Sequence, residues 1–112
     1  MENLKIKQKT EDMIEYGYIA LRQFPKSEKF SLAQDIKRTM FSVLDQIIRT
    51  NRSRDKRAAL YAIDTELDIL RTQIRLATKL KFLPLPKYET WSGHLAEIGR
   101  MLGGWMKSLN KG

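Results

Sequence analysis

Residues that could perform acid–base chemistry or bind a metal are few in this chain. His94 is the only histidine and cysteine is absent, so a Cys/His metal site or a histidine-dependent triad lacks partners. Two acidic pairs, Glu11 with Glu15 and Asp64 with Asp68, have the one-turn spacing of di-metal bundle ligands. The accompanying Glu-x-x-His element is missing, and nearby basic residues favour ion pairing. The sequence predicts no metal, no cofactor and no enzymatic activity, and His94 is interpreted as a residue at the edge of a helical core.

The cationic residues offer a different kind of chemistry. Lysine and arginine number 21 against 13 acidic residues, which gives a net charge of +8 in 112 residues and fits a polyanionic partner. Two groups are predicted to contact the phosphates of RNA or DNA, one near the turn between the second and third helices and one along the third helix: Arg49, Arg52, Arg54, Lys56 and Arg57, then Arg71, Arg75 and Lys79. The competing interpretation is a solvated face on which Asp68 braces Arg71 or Arg75. No base-reading motif is visible, so binding would depend on phosphate contacts.

The elements that carry these residues are predicted to be helices, because apolar residues recur with helical period and no convincing strand alternation is present. Pro25 ends the first helix. Ser31 is expected to cap the second, with Gln34 completing a capping box and Phe30 acting as the staple residue. Ser53 is expected to cap the third. The predicted helices cover approximately residues 3–23, 31–50, 54–81 and 87–109.

Apolar stripes predict how these helices pack. The fourth helix has a heptad seam of Trp91, Leu95, Ile98, Leu102, Trp105 and Leu109, and the third has a stripe of Leu60, Ile63, Leu67, Leu70, Ile74 and Ala77. Gly99 and Gly103 are expected to let a neighbouring helix approach closely. Four amphipathic helices joined by short links predict an all-α, antiparallel four-helix bundle that forms one domain over residues 1–112.

Further apolar residues extend beyond the stripe that one bundle needs. Phe41 and Ile48 on the second helix, and Ile69 and Leu76 on the third, are predicted to form an interface between subunits. A wide intramolecular core is the alternative. The charged N-terminus lacks the apolar run of a signal peptide, and no stretch has the length of a membrane span, so a cytoplasmic protein without membrane contact is expected.

Two segments resemble a known family. Residues 70–75 have the pattern Leu-Arg-x-x-apolar-Arg, and within residues 97–105 the stretch from Ile98 to Trp105 has the pattern apolar-Gly-Arg-apolar-Leu-Gly-x-Trp. Together they resemble the accessory variability determinant proteins of diversity-generating retroelements. This resemblance implies a homopentameric, barrel-like ring of four-helix bundles that binds a reverse transcriptase and the template-repeat RNA or DNA, and so supports mutagenic retrohoming.

The resemblance also assigns residues. Arg71 and Arg75 match the family's arginines on the third helix, and Gly99, Arg100, Gly103 and Trp105 match its C-terminal motif. The basic residues would contact either the nucleic acid or the polymerase. The near alternative is the related group of four-helix proteins encoded in ribosomal RNA intervening sequences, which would have a structural or unknown role and no polymerase partner.

Overall fold

The computed structural model describes residues 3–110, and these form four α-helices. They are α1 (Leu4–Leu21), α2 (Leu32–Arg52), α3 (Arg57–Lys79) and α4 (Leu85–Asn110), with a short 3-10 helix at Lys26–Glu28. Each helix packs on the next one in the chain and α4 packs back on α1, while the diagonal pairs α1/α3 and α2/α4 make no close backbone contact within residues 3–110. The predicted all-α, antiparallel four-helix bundle is therefore confirmed.

The core is built from the predicted stripes. All six residues of the α3 stripe are buried, and on α4 the seam is buried from Trp91 to Trp105, with Leu109 half-buried at its end. Because apolar residues at helical spacing share one face, these two stripes meet α1 and α2 along most of the bundle. His94 lies at the edge of this core, where its ring stacks on Tyr16 of α1 with the ring centroids 5.4 Å apart.

Among the described glycines, Gly17 is the one most closely surrounded by side chains of other helices. A Cβ atom on Gly17 would lie 2.5 Å from the sulfur of Met40 and 2.9 Å from Cζ2 of Trp91. The same atom on Gly103 would meet nothing within 4 Å, and on Gly99 it would meet only a side chain from α3. The expectation that a neighbouring helix comes close was wrong for Gly103; at Gly99 only the Arg71 side chain of α3 comes close, and Gly17 is the glycine packed against both α2 and α4.

The start of α2 differs from the predicted capping box. The hydroxyl of Ser31 donates to Oε1 of Glu28, 2.9 Å away, and makes no bond to the first turn of the helix. Phe30 is 92% exposed, so it does not form the hydrophobic staple that was predicted for the start of α2. The 3-10 turn at residues 26–28 directs both side chains away from α2, which explains why the motif does not form.

The link between α2 and α3 is organised by Lys56 and not by Ser53. The ammonium of Lys56 donates to the carbonyl oxygens of Thr50, Asn51 and Ser53 at 2.9, 3.4 and 2.7 Å. A cation at a helix C-terminus satisfies carbonyls that have no partner within the helix. Ser53 bonds to the carbonyl oxygen of Asp55, and α3 begins only at Arg57, so the predicted Ser53 cap was wrong.

The end of α3 is a Schellman motif with a lysine in its left-handed position. Lys81 has φ 67°, its N–H donates to the carbonyl of Thr78, and the N–H of Phe82 donates to that of Ala77. Helix α4 then begins at Leu85, two residues before the predicted start. Pro86 is accommodated in the first turn because the N–H it lacks would have no partner there.

The alternating helix directions define two ends of the bundle. We call residues 22–31 and 79–89 the lysine end; there the ring of Phe24 packs on that of Phe82, with centroids 5.9 Å apart. The opposite end, which we call the arginine end, contains residues 49–57, the start of α1 and the end of α4. Its elements are joined by Asn51, whose side-chain amide exchanges hydrogen bonds with the backbone of Asn3 at 2.7 and 3.3 Å.

Candidate nucleic-acid interface

The first basic group lies at the arginine end and projects into solvent. Four of its arginines are exposed: Arg49 and Arg52 in the last turn of α2, Arg54 in the short link, and Arg57 at the start of α3. Arg57 donates weakly to the carbonyl oxygen of Leu109, 3.5 Å away, and no ion pair involves any of the four within residues 3–110. Four forked guanidinium groups without carboxylate partners suit phosphate contacts.

Lys56 belongs to this group by sequence but differs from it in structure. Its side chain is half-buried, and its ammonium already donates to the three carbonyl oxygens at the end of α2. Its charge still adds to the positive potential of the arginine end. Its hydrogen bonds, however, hold the α2–α3 link in the shape that presents the neighbouring arginines.

The second basic group lies on α3, where Arg75 and Lys79 are exposed and Arg71 is half-buried. The alternative interpretation of this group required Asp68 to brace Arg71 or Arg75. Within residues 3–110 only two ion pairs form, Arg38 with Asp35 and Arg100 with Glu97. The α3 cations therefore have no intramolecular carboxylate to neutralise them.

Arg71 is held by the packing of α3 against α4. Its guanidinium lies beside Gly99, where a Cβ atom would stand only 2.6 Å from Nη2. Any residue other than glycine at this position would displace the guanidinium. The two segments that carry the family resemblance, residues 70–75 and 97–105, therefore come together at Arg71 and Gly99.

The structure does not merge the two basic groups into one track. Arg57 and Arg71 are 14 residues apart on α3, which corresponds to about 21 Å along the helix axis at 1.5 Å per residue. Asp64 and Asp68, both exposed, lie between them along the chain. A nucleic acid would need to span about six base pairs to reach both groups on one subunit.

The remaining residues of the C-terminal motif have separate environments. Arg100 is exposed and pairs with Glu97 one turn earlier, a spacing of three residues that favours such pairs on helices. Trp105 is 7% exposed and belongs to the core, so its place in the motif reflects packing. Gly103 faces open space.

The four residues predicted for a subunit interface are all exposed, but they form two separate strips. Phe41 contacts the ring of Tyr18 edge to face at 6.4 Å, which places the Phe41–Ile48 strip on the α1 side of α2. Ile69 and Leu76 lie on the outer surface of α3. Their predicted role in assembly stays a prediction. Two unlike strips would suit a head-to-tail contact, in which one strip meets the other strip of the next subunit.

Other chemistry finds little support in the described chain. Residues 3–110 contain no group of three or more His, Cys, Asp or Glu side chains placed to hold a metal ion. None of the four described helices is both long and apolar enough to cross a membrane. The polar cleft beside His94 is lined by Lys9, Asp12 and Glu97 among others. It therefore contains both positive and negative side chains and is not uniformly basic or acidic.

These features define a basic four-helix bundle whose arginines are available to a polyanion. The chain belongs to the bAvd-like family, whose model matches residues 4–109. This is the family of bacterial accessory variability determinant proteins of diversity-generating retroelements, so the resemblance found in the two motifs is confirmed. It is a family of accessory proteins and not a known enzyme family. A search of curated proteins found no match to the chain.

Proposed function

We propose that this protein is a cytoplasmic accessory subunit of a diversity-generating retroelement that binds both nucleic acid and the reverse transcriptase during mutagenic retrohoming. Membership of the bAvd-like family supports the retroelement role over a ribosomal RNA intervening-sequence protein without a polymerase partner. The protein acts as a scaffold and carries out no chemistry itself. It holds the nucleic acid through its phosphates and leaves the reading of sequence to base pairing and to the polymerase.

The observation that carries the nucleic-acid part is the absence of neutralising partners around the two basic groups. Arg52, Arg54 and Arg75 are exposed and form no ion pair within residues 3–110. Such cations lose little when a phosphate replaces water around them. They also gain the entropy of the counterions that the nucleic acid releases.

Assembly strengthens this proposal. In a homo-oligomer, proposed here to be a pentamer, each basic group repeats around a ring. A contact that is weak in one subunit then becomes strong when several engage the same RNA or DNA, because the later contacts occur at high effective concentration. The exposed strips Phe41–Ile48 and Ile69–Leu76 are proposed to join neighbouring subunits.

The test compares three double variants that each remove two positive charges. Arg52→Ala/Arg54→Ala removes charge from the arginine end and Arg71→Ala/Arg75→Ala removes it from α3. Arg22→Ala/Arg38→Ala is the matched control, because both of these residues are exposed and lie outside the two groups. Binding to a single-stranded RNA and to a DNA duplex longer than ten base pairs is measured over a range of salt concentrations.

The first two variants should weaken binding to RNA and DNA of any sequence and flatten the log–log salt dependence by about 0.7 to 0.9 for each lost phosphate contact. The control should retain most of the affinity. If all three variants fall equally, net charge alone accounts for binding and the two groups are not the site. A parallel pull-down of the first two variants with the reverse transcriptase distinguishes arginines that contact the polymerase from those that contact nucleic acid.

A further inference from the structure

The lysine end of the bundle exposes apolar side chains that the core does not use. Phe30 is 92% exposed, Leu85 59% and Leu80 54%; Phe30 lies in residues 22–31, and Leu80 and Leu85 lie in residues 79–89, the two segments of this end. Phe24 and Phe82, also from the two links at this end, pack together instead. Phe30 belongs to the same links but stays exposed. Exposed apolar side chains that share one end of a bundle are candidate anchors for a partner.

Positive charge surrounds these apolar residues. The lysine end has six cations against two acids, a net charge of +4, the cations being Arg22, Lys26, Lys29, Lys79, Lys81 and Lys87 and the acids Glu28 and Glu89; Lys79 is also the last residue of the α3 basic group, so five of the six cations belong to this end alone. One of the two carboxylates, that of Glu28, already accepts the hydrogen bond from Ser31. None of the six cations forms an ion pair within residues 3–110. A matching surface would place carboxylates around apolar pockets.

Lys81 gives a second, independent observation. It occupies the left-handed position of the Schellman motif, with φ 67°, where glycine is the residue that fits without strain. A lysine there lowers the stability of the fold, and its side chain is exposed. Strained positions of this kind are often found where a side chain has a role that outweighs its cost in stability.

We propose that the lysine end is a docking surface for a protein partner that presents acidic side chains around apolar pockets. The partner's identity rests on the proposed function: it is the reverse transcriptase of the same retroelement. The two ends then have different tasks. The arginine end and α3 hold nucleic acid, and the lysine end holds the polymerase that copies it.

The composition of this end favours a protein over nucleic acid or a lipid surface. Stacking on bases requires flat aromatic faces, and two of the three exposed apolar residues, Leu80 and Leu85, have none. Membrane-surface binding usually uses one amphipathic helix with a continuous apolar face. Here the apolar side chains come from separate segments, as in a protein interface where a few anchors each fill a pocket.

The experiment uses the full chain and the purified reverse transcriptase, with RNA binding measured in parallel. Two variants alter the surface: Phe30→Ser removes a side chain that makes almost no contact with the fold, and Lys81→Gly removes a charge while relieving the strained backbone. Tyr61→Ser is the control, since Tyr61 is a 65% exposed aromatic residue near the arginine end. Thermal melting is recorded for all four proteins.

Phe30→Ser should weaken binding to the polymerase by about tenfold or more, as truncation of an interface anchor does, and should leave RNA binding unchanged. Lys81→Gly should melt at a higher temperature than the wild type and still bind the polymerase several times more weakly. Reduced binding by a more stable protein could not be ascribed to misfolding. Tyr61→Ser should bind the polymerase like the wild type.

The alternatives give different results. If the wild type binds the polymerase and Phe30→Ser and Lys81→Gly bind it equally well, the docking surface is elsewhere and the proposed function stands. If the wild type does not bind the polymerase, both the polymerase-binding part of the proposed function and the proposed docking surface are wrong. Loss of RNA binding by Phe30→Ser, or its loss of binding to vesicles of anionic lipid that the wild type binds, would assign the surface to that other ligand and overturn the proposal.

Discussion

The guanidinium of Arg71 on α3 lies directly beside Gly99 on α4, so that a methyl group at position 99 would stand 2.6 Å from Nη2. This contact connects two otherwise separate sequence motifs. The glycine leaves a shallow site for the arginine head group, and the arginine, which has no carboxylate partner within residues 3–110, covers the exposed backbone of α4. The position of Arg71 is therefore set by a residue on another helix.

Gly99→Ala is expected to move Arg71 without removing its charge. The alanine raises the helix propensity of α4 by about 1 kcal/mol, but the methyl group pushes the guanidinium aside. Gly103→Ala is the matched control, one turn away on the same helix with nothing within 4 Å. It should raise the melting temperature by about 4 °C and leave nucleic-acid binding unchanged. Gly99→Ala should give a smaller rise and weaken binding several-fold.

Circular dichroism melting and filter binding on the two alanine variants check this prediction. Identical behaviour of both variants in both measurements would mean that the contact between Arg71 and Gly99 has no influence on binding. A large loss of stability in Gly99→Ala is not expected, since the atom in its way is the end of a flexible side chain.

Gly17→Ala should destabilise the fold, in contrast to both changes on α4. The new methyl group would meet the sulfur of Met40 at 2.5 Å and the fully buried ring of Trp91 at 2.9 Å. The end of Met40 can move, but the tryptophan ring is fixed by the core around it. Overpacking of this kind costs about 1–3 kcal/mol, which corresponds to a fall of about 4–12 °C in melting temperature. A melting temperature equal to or above that of the wild type would contradict the close approach at Gly17.

The sequence predicted the fold well because the fold depends on repeated features. The seam from Trp91 to Trp105 places an apolar residue on the same face at every turn of α4. The helical period can therefore be recognised even when one residue of the seam is ambiguous. The buried faces of α3 and α4 and the number of helices follow from it. Gly17 could have been found in the same way, since it falls on the apolar face of α1 among larger residues.

Other features depend on single contacts that leave no periodic signal. Lys56 caps the C-terminal end of α2 with its ammonium, Ser53 makes no cap at the start of α3, and Lys81 adopts a left-handed conformation for which glycine is the usual marker. Phe30 had the position of a staple residue and instead lies in water. In each case the outcome is set by the path of a short link, which local residue preferences describe poorly.

Trp105→Ala is expected to lower stability strongly, because Trp105 is 7% exposed and packs in the α4 seam. Removing a buried tryptophan costs about 3–5 kcal/mol, a large share of the stability of a small domain. Tyr61→Ala, which truncates an aromatic residue that is 65% exposed on α3, should change the free energy of unfolding by only about 0.5 kcal/mol. Urea unfolding of the two variants checks the difference, and similar midpoints for both would place Trp105 outside the core.

Ile69→Glu is expected to disrupt assembly while the helices remain folded. Ile69 is exposed on the outer surface of α3, so a glutamate there is well solvated in the free subunit and costs the fold little. If the strip meets a neighbouring subunit, the carboxylate must lose its water without gaining a partner, which is strongly unfavourable. Ala96→Glu, at an exposed position of α4 outside both strips, adds the same charge and should have a smaller effect. Light scattering with circular dichroism should therefore show a smaller particle with unchanged helix content for Ile69→Glu alone.

A wild-type protein that is monomeric at micromolar concentration would contradict the interface, and so would an Ile69→Glu variant with the wild-type mass.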